Sequence, residues 1–187
     1  MAHYYLVASL PSLELDGKLP WTAAEFLRAC ENALESEDLA EVMMALEGRE
    51  AQARHGSLRR WHWRETQLRN AVARHRASKL GGEHPSAPRE HGEFDVGIER
   101  GVSEAMRLSD PLEREKALDL LRWRMSEEMA TGEPFGLGAV LGHALKLRLA
   151  SRWHSMEEQQ GRRTIAEMVE KRLEGLSAGQ GKGGGGR

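Results

Sequence analysis

Cysteine occurs once in the 187 residues, at position 30, which excludes an intramolecular disulfide framework and a multi-cysteine zinc centre. No apolar run reaches about 18 residues, so no membrane-spanning helix is expected. The apolar stretch 4–10 is too short for a signal-peptide core, lacks a basic leader and runs into Pro11, and the chain is expected to be cytoplasmic. Neither sign of charge dominates: 27 Lys and Arg stand against 29 Asp and Glu, a net charge of −2. That balance argues against a uniformly basic, duplex-coating protein and against an acidic solvating chain. Aromatic residues are scarce at 5%, and charged residues reach 30%. The length suits one domain or two small ones.

Helical signals are what the chain has in quantity. Tyr4-Tyr5-Leu6-Val7 is β-prone, and with Pro11 behind it reads as the start of a short extended arm. Thr22 and Glu25 then form a capping box, with Trp21 and Phe26 placed as its hydrophobic staple. A helix follows with Ala23, Phe26, Cys30, Ala33 and Leu34 on one face. A second begins near Ser36, carries Leu39, Val42, Met43 and Leu46, and stops at Gly48. A long helix over 58–80 has Leu58, Trp61, Leu68 and Val72 as its core stripe. The stretch 81–93 is rich in Gly, Pro and His and reads as a linker. Helical spacing resumes with Phe94, Ile98, Val102 and Ala105, and Asp110-Pro111 starts another helix. Further helices are expected over 136–156 and 163–173, and a disordered Gly-rich tail over 175–187. The class is therefore all-α: an N-terminal helical half (1–80), the linker, and a C-terminal helical half (94–174), packed as a helical bundle.

Sequences that mimic catalytic motifs fail on inspection. Gly181-Lys182 ends a glycine run, but Leu176 stands where a phosphate loop needs glycine and Gly183 where it needs Ser or Thr. Gly136, Gly138 and Gly142 miss the dinucleotide spacing and lie in a helical pattern. Gly138 and Gly142 are instead one helical turn apart, which suits a close helix–helix approach. The eight histidines form no HExxH frame, Cys30 falls on an apolar face, and no catalytic dyad is evident. No catalytic residue, metal site or cofactor is assigned, and the chain is expected not to be an enzyme.

Charge is segregated along the chain. Residues 21–48 carry seven acids against Arg28 alone, and residues 49–80 carry nine bases against Glu50 and Glu65. The simplest expectation is an acidic hairpin packed beside a basic helix. On that helix Arg59, Arg60, Trp63, Gln67, Asn70 and Arg74 share about a third of the circumference, away from the core stripe. Arginines beside an indole suit phosphates and stacked bases, or an acidic protein partner. A solvated basic face with one stray tryptophan is the plain alternative. The helix after Asp110 is apolar on two sides: Leu118, Leu121, Met125 and Met129 on one, Leu112, Leu120 and Trp123 on the other. Such a helix is either central in a bundle or covered by another molecule. Arg122 and Trp123 join the candidate contact residues.

Three blocks carry a resemblance. They are Tyr4-Tyr5-Leu6-Val7-Ala8-Ser9-Leu10-Pro11, then Ser109-Asp110-Pro111-Leu112-Glu113-Arg114-Glu115 with Leu118-Asp119 and Arg122-Trp123, and the stretch from Phe135 to Trp153 followed by Gly161-Arg162. Together they resemble a small bacterial family encoded within V/A-type ATPase operons and described as similar to the helical socket protein of those rotary ATPases. The resemblance implies a non-catalytic, all-helical rotor part that couples the central stalk to the membrane ring during proton or sodium transport. Its implied partners are the stalk and ring subunits, and its implied location is cytoplasmic, peripheral to the inner membrane. The socket protein is built from three similar helical repeats and is much longer than this chain, so a socket role and an accessory or assembly role both stay open. A nucleic-acid-binding module using the Arg/Trp face is the alternative reading.

Overall fold

The computed structural model of the chain describes residues 2–79, 81, 88–131 and 134–180, with side chains for those within 3–159. Among the described residues every regular element is helical and no strand occurs. The order is α1 (Ala2–Ser9), α2 (Ala23–Glu31), α3 (Ser36–Glu47), α4 (Gly56–Lys79), α5 (Val96–Ala105), α6 (Pro111–Glu127) and α7 (Leu137–Gln180), with 3₁₀ turns at Glu50–Gln52 and Glu128–Ala130. The all-α class expected from the sequence is the class observed.

The helix ends follow from local chemistry. Glu25 N–H donates to the Thr22 hydroxyl at 3.2 Å, and Thr22 N–H donates to the Glu25 carboxylate at 2.8 Å, closing the capping box of α2. Gly48 ends α3 at φ +76°, a left-handed conformation that side chains resist. Asp95 accepts from Gly97 N–H at 2.7 Å to cap α5, and Asp110 accepts from Leu112 N–H at 2.9 Å ahead of Pro111. A free donor at each of these helix starts thereby gains a charged acceptor near the positive end of the dipole.

Four expectations are corrected. The N-terminal arm is not extended: residues 2–9 form α1. Tyr and Val favour strands only where another strand pairs with them, and the helix instead buries Leu6 and sets the Tyr4 ring 4.7 Å from Phe135. The helices expected over 136–156 and 163–173 are one, α7, which continues through Gly161 to Gln180. A helical glycine costs about 1 kcal/mol against alanine but does not break the hydrogen-bond ladder, and no proline interrupts this stretch. Residues 175–180, expected in a disordered tail, belong to α7, and 181–187 lie outside the described residues.

The fourth correction concerns the acidic hairpin, which does not pack along α4. Helices α2 and α3 lie against α7, and α4 lies against α5 and α6. Apolar faces decide this. Phe26, Cys30, Val42 and Ala45 are buried from the hairpin, as are Leu141, Leu145 and Leu147 of α7. Burial of such area outweighs the few tenths of a kcal/mol of an exposed ion pair. The bases of α4 find acids elsewhere: Arg74 meets Glu99 at 2.6 Å, and Arg76 meets Glu115 at 3.4 Å.

Helix α7 is the axis, touching α1, α2, α3, α4 and α6. One core of buried residues runs from Leu6 to Trp153, so the segments 1–80 and 94–174 share it. The expected core stripe of α4, Leu58, Trp61, Leu68 and Val72, is buried throughout. The Cys30 thiol is fully buried, and burial pushes its pKa up to about 12, with Glu31 adding to the shift. It is an inert core group, in keeping with its place on the apolar face.

The approach of α7 to α6 and to the 3₁₀ turn that follows it depends on two glycines. A Cβ at Gly142 would lie 2.4 Å from the Ser126 carbonyl oxygen, and one at Gly138 2.4 Å from that of Met129. Both obstacles are backbone, so the helices must separate to admit a side chain. Gly142→Ala is therefore expected to lower stability by roughly 1–3 kcal/mol despite alanine's better helix propensity. Urea unfolding of the two proteins measures it.

His143 is buried beside the Phe26 ring, 5.1 Å between centroids, with its Nε2 unpartnered. Burial, helped by Lys146, lowers its pKa to about 4. Between pH 4 and about 6.5 the unfolded chain therefore binds a proton that the folded chain refuses. This contribution is complete above about pH 6.5 and is lost as pH falls towards 4, on the order of 3 kcal/mol in all. Urea midpoints at pH 7 and 5 should differ, and His143→Leu should flatten that difference.

Candidate partner-binding surface

The basic face of α4 is the first surface that the sequence offers to a partner, and the chain itself covers much of it. Residues 88–95, without regular secondary structure and bent at Gly92, cross α4 as a strap. Asn70 Nδ2 donates to the Arg89 carbonyl at 2.8 Å, and Arg89 N–H donates back to Asn70 Oδ1 at 3.2 Å. Gln67, one turn earlier, does the same for Asp95, at 2.8 and 2.9 Å. Each amide thus satisfies both polar groups of one strap residue, as a neighbouring strand would. Between these clamps, Gly92 lies so close to the indole of Trp63 that a Cβ there would sit 2.7 Å from the ring. Residues 82–87 of the expected linker lie outside the described residues.

Ion pairs consume further charge on this face. Arg74 is engaged by Glu99, and Arg64 by Asp95 at 2.7 Å and by Glu128. Partial burial raises the carboxyl pKa of Asp95 and of Glu99, but the arginine bonds outweigh it, and both stay below the ordinary carboxylate range. Arg59 and Arg60 remain exposed, with the Arg59 guanidinium 5.4 Å above the Trp63 ring. Of the residues named for this face, Trp63, Gln67, Asn70 and Arg74 are thus taken up within the chain, and Arg59 and Arg60 are open.

Arg122 and Trp123 belong to the interior. Asp119 of α6 has no exposed surface. It accepts from Arg122 Nη1 at 2.8 Å, from Trp153 Nε1 at 2.8 Å, and from Arg152. Arg122 reaches on to Glu65 of α4 with Nε at 2.9 Å and Nη2 at 3.2 Å, and Arg69 closes on the same carboxylate at 2.6 Å. Burial alone would depress the Arg122 pKa, but Glu65 and Asp119 more than offset it and hold the guanidinium charged. A buried carboxylate satisfied by three donors, beside a second satisfied by two side chains, ties α4, α6 and α7 together. The Trp123 ring is buried on the side facing α7, its Nε1 donating to Glu127 at 3.1 Å and Lys146 lying 5.3 Å from the ring.

The second apolar side of α6 therefore splits. Trp123 turns into the body, while Leu112 and Leu120 face solvent, at 53% and 40% exposure. Leu120 lies in a groove of about 250 Å³ between α5 and α6, walled by Gly101, Leu108, Ala117, Leu121 and Arg124. The groove exists because α5 approaches α6 at Gly101, where a Cβ would lie 2.5 Å from the Leu121 side chain. Its floor is apolar, and its rim carries Glu104 and Arg124. That is the form in which a small helical surface receives an apolar side chain from another protein.

Sequence reasoning missed the buried carboxylates, although one signal was present. Glu65 occupies a place in the core stripe of α4, one turn after Trp61, and Asp119 stands three residues before Arg122 on α6. A carboxylate on a core stripe predicts a buried charge partner.

A family described as a protein of unknown function, DUF2764, matches residues 99–175. The match runs from α5 through most of α7 and so includes the groove, Asp119 and both glycines of the α6–α7 crossing. It spans less than half of the chain. No curated protein and no solved structure matches the chain.

Asp119→Ala would leave Arg122, Arg152 and the Trp153 indole without their common acceptor. It is expected to cost about 3–5 kcal/mol. Glu99→Ala, which opens a partly exposed pair with Arg74, is expected to cost about 1 kcal/mol or less. Denaturant unfolding of both variants checks the contrast.

Proposed function

We propose that this chain is a non-catalytic helical adaptor whose α5–α6 groove holds a partner. The observation that carries this reading is the pair of exposed leucines, Leu112 and Leu120, on a helix whose other side is already buried. Leu120 lies in the preformed groove and Leu112 is exposed two turns earlier on the same helix, and burial of such side chains removes apolar area from water without rearranging the body. The resemblance of the opening octapeptide and the Asp110-Pro111-Leu112-Glu113 block supplies the finer reading: the partner is the central stalk of a V/A-type rotary ATPase, at its junction with the membrane ring. A position peripheral to the inner membrane goes with that assignment. No helix of the described residues is long and apolar enough to cross a membrane.

The shape of α7 supports the adaptor reading. Its 44 residues extend over about 66 Å. The last buried side chain described on it is Trp153, and residues 155–159 are exposed in succession. That exposed stretch is surface open to a neighbouring assembly. The nucleic-acid alternative keeps Arg59 and Arg60, but loses Trp63, Asn70 and Arg74 to contacts within the chain.

Leu120→Lys tests the reading. The variant is expected to unfold within about 0.5 kcal/mol of the natural chain, since the substitution lies on the surface. Its affinity for purified central-stalk and ring subunits is expected to fall by about 2 kcal/mol, roughly thirtyfold. Full-strength binding by the variant would remove the groove from the interface. Absence of binding to any stalk or ring protein, with salt-steep affinity for oligonucleotides instead, would favour the nucleic-acid reading.

A further inference from the structure

The strap over α4 is fastened unevenly. Its last residue, Asp95, is held from both sides. Gln67 Nε2 donates to its carbonyl at 2.8 Å, and its own N–H donates to Gln67 Oε1 at 2.9 Å. Arg64 donates to its carboxylate at 2.7 Å, and the same carboxylate caps α5 by accepting from Gly97 N–H at 2.7 Å. Gln67 is wholly buried and is fixed further by Glu99 at 3.2 Å. Arg89, near the other end, is held among the described residues by the Asn70 amide alone, at 2.8 and 3.2 Å. Between these ends the strap gives most of its side chains to solvent: Glu90 and Glu93 are exposed, and Phe94 is 67% exposed. The Phe94 ring stacks on His91 of the strap itself, 6.4 Å between centroids. Among the described residues, no apolar side chain of 88–95 packs on the hydrophobic core.

We propose that residues 88–94 are a hinged cover, which swings from the Arg89 end about Asp95 and uncovers Trp63 and Asn70 while the body stays folded. A segment opens locally at the cost of the contacts it alone loses. Here those are the two bonds to Asn70 and the packing of Gly92 on an indole. Neutral hydrogen bonds of this kind contribute little net, because water replaces the lost partner. The Asp95 end differs, since a charged donor grips it and release would also strip α5 of its cap. Closed, the strap lays its backbone on the Trp63 ring at a separation that only glycine allows. Open, it returns the indole and the Asn70 amide to the face on which Arg59 and Arg60 are already exposed. The basic face of α4 therefore has a covered and an uncovered form. This device is separate from the α5–α6 groove and stands whether or not the stalk assignment holds.

The test is amide hydrogen exchange of the full natural chain by NMR, with rates corrected for local sequence. The Arg89 and Asp95 amides each donate to a side-chain amide of α4, so a strap that opens as one piece would protect them equally. Arg89 N–H is expected to exchange roughly a hundredfold faster than Asp95 N–H. Equal protection of the two amides would overturn the proposal. The uncovering itself is read by fluorine NMR of the chain labelled with fluorotryptophan. The Trp63 signal is assigned with Trp63→Phe, and its exposure is taken from its shift between light and heavy water. Asn70→Ala removes the clamp, and Gly92→Ala places a Cβ 2.7 Å from the ring. Each is expected to raise the solvent shift of Trp63 and to change Asp95 exchange by less than about threefold. A Trp63 signal unmoved in either variant, or Asp95 exchange accelerated as much as that of Arg89, would contradict a cover hinged at Asp95. The exchange comparison needs no variant, and so decides the matter even if a substitution prevents folding.

Discussion

The body of this molecule depends on one carboxylate. Asp119, wholly buried on α6, gathers Arg122 from its own helix and Arg152 and Trp153 from α7. Through Arg122 it is joined to Glu65 on α4. A buried charge is tolerable only when its partners are in place, so this arrangement fixes the rotation of three helices at once. The glycine contacts at Gly138 and Gly142 set how closely α6 and α7 approach, and the Asp119 cluster sets their register. Hydrophobic burial supplies the bulk of the driving force, but it is non-directional. The carboxylate gives it an orientation.

The surface follows from that interior. With Arg122 and Trp123 committed to the body, α6 presents only Leu112 and Leu120 to solvent from its second apolar side. With α4 turned to place Glu65 inward, its opposite side carries Gln67 and Asn70, and the strap at 88–95 occupies them. Intramolecular contacts thus consume most of the basic face. Among the described residues, the apolar groove between α5 and α6 is left without an internal role. The adaptor reading accounts for it. The matched family model spans this groove.

Much of the helical architecture was legible in the sequence because it is written in short-range chemistry. The Thr22–Glu25 box, Gly48, the Asp110-Pro111 start and the stripe of Leu58, Trp61, Leu68 and Val72 all lie where local rules place them. Gly138 and Gly142 read correctly as a close helix approach. Features that depend on distant partners did not read. The 4–7 stretch is β-prone, yet becomes helical because Leu6 has a core to enter and no strand to join. Charge segregation suggested an acidic hairpin on a basic helix, but charge is a weak guide to packing when apolar faces point elsewhere. The strap was invisible because its affinity lies in backbone groups, which every sequence possesses. The candidate site was legible only in part: the two-sided α6 was evident, but which side would be buried was not.

The claim that one connected charge cluster orders α4, α6 and α7 is tested most directly by a double-mutant cycle on Asp119→Asn and Glu65→Gln. Both substitutions preserve shape, and the two residues communicate through Arg122. Unfolding free energies of the natural chain, the two single variants and the double variant are measured in urea. A coupling of about 1 kcal/mol or more is expected, because either change alters what Arg122 means to the other carboxylate. Additivity within about 0.5 kcal/mol would show two independent pairs, and would contradict a single organising cluster.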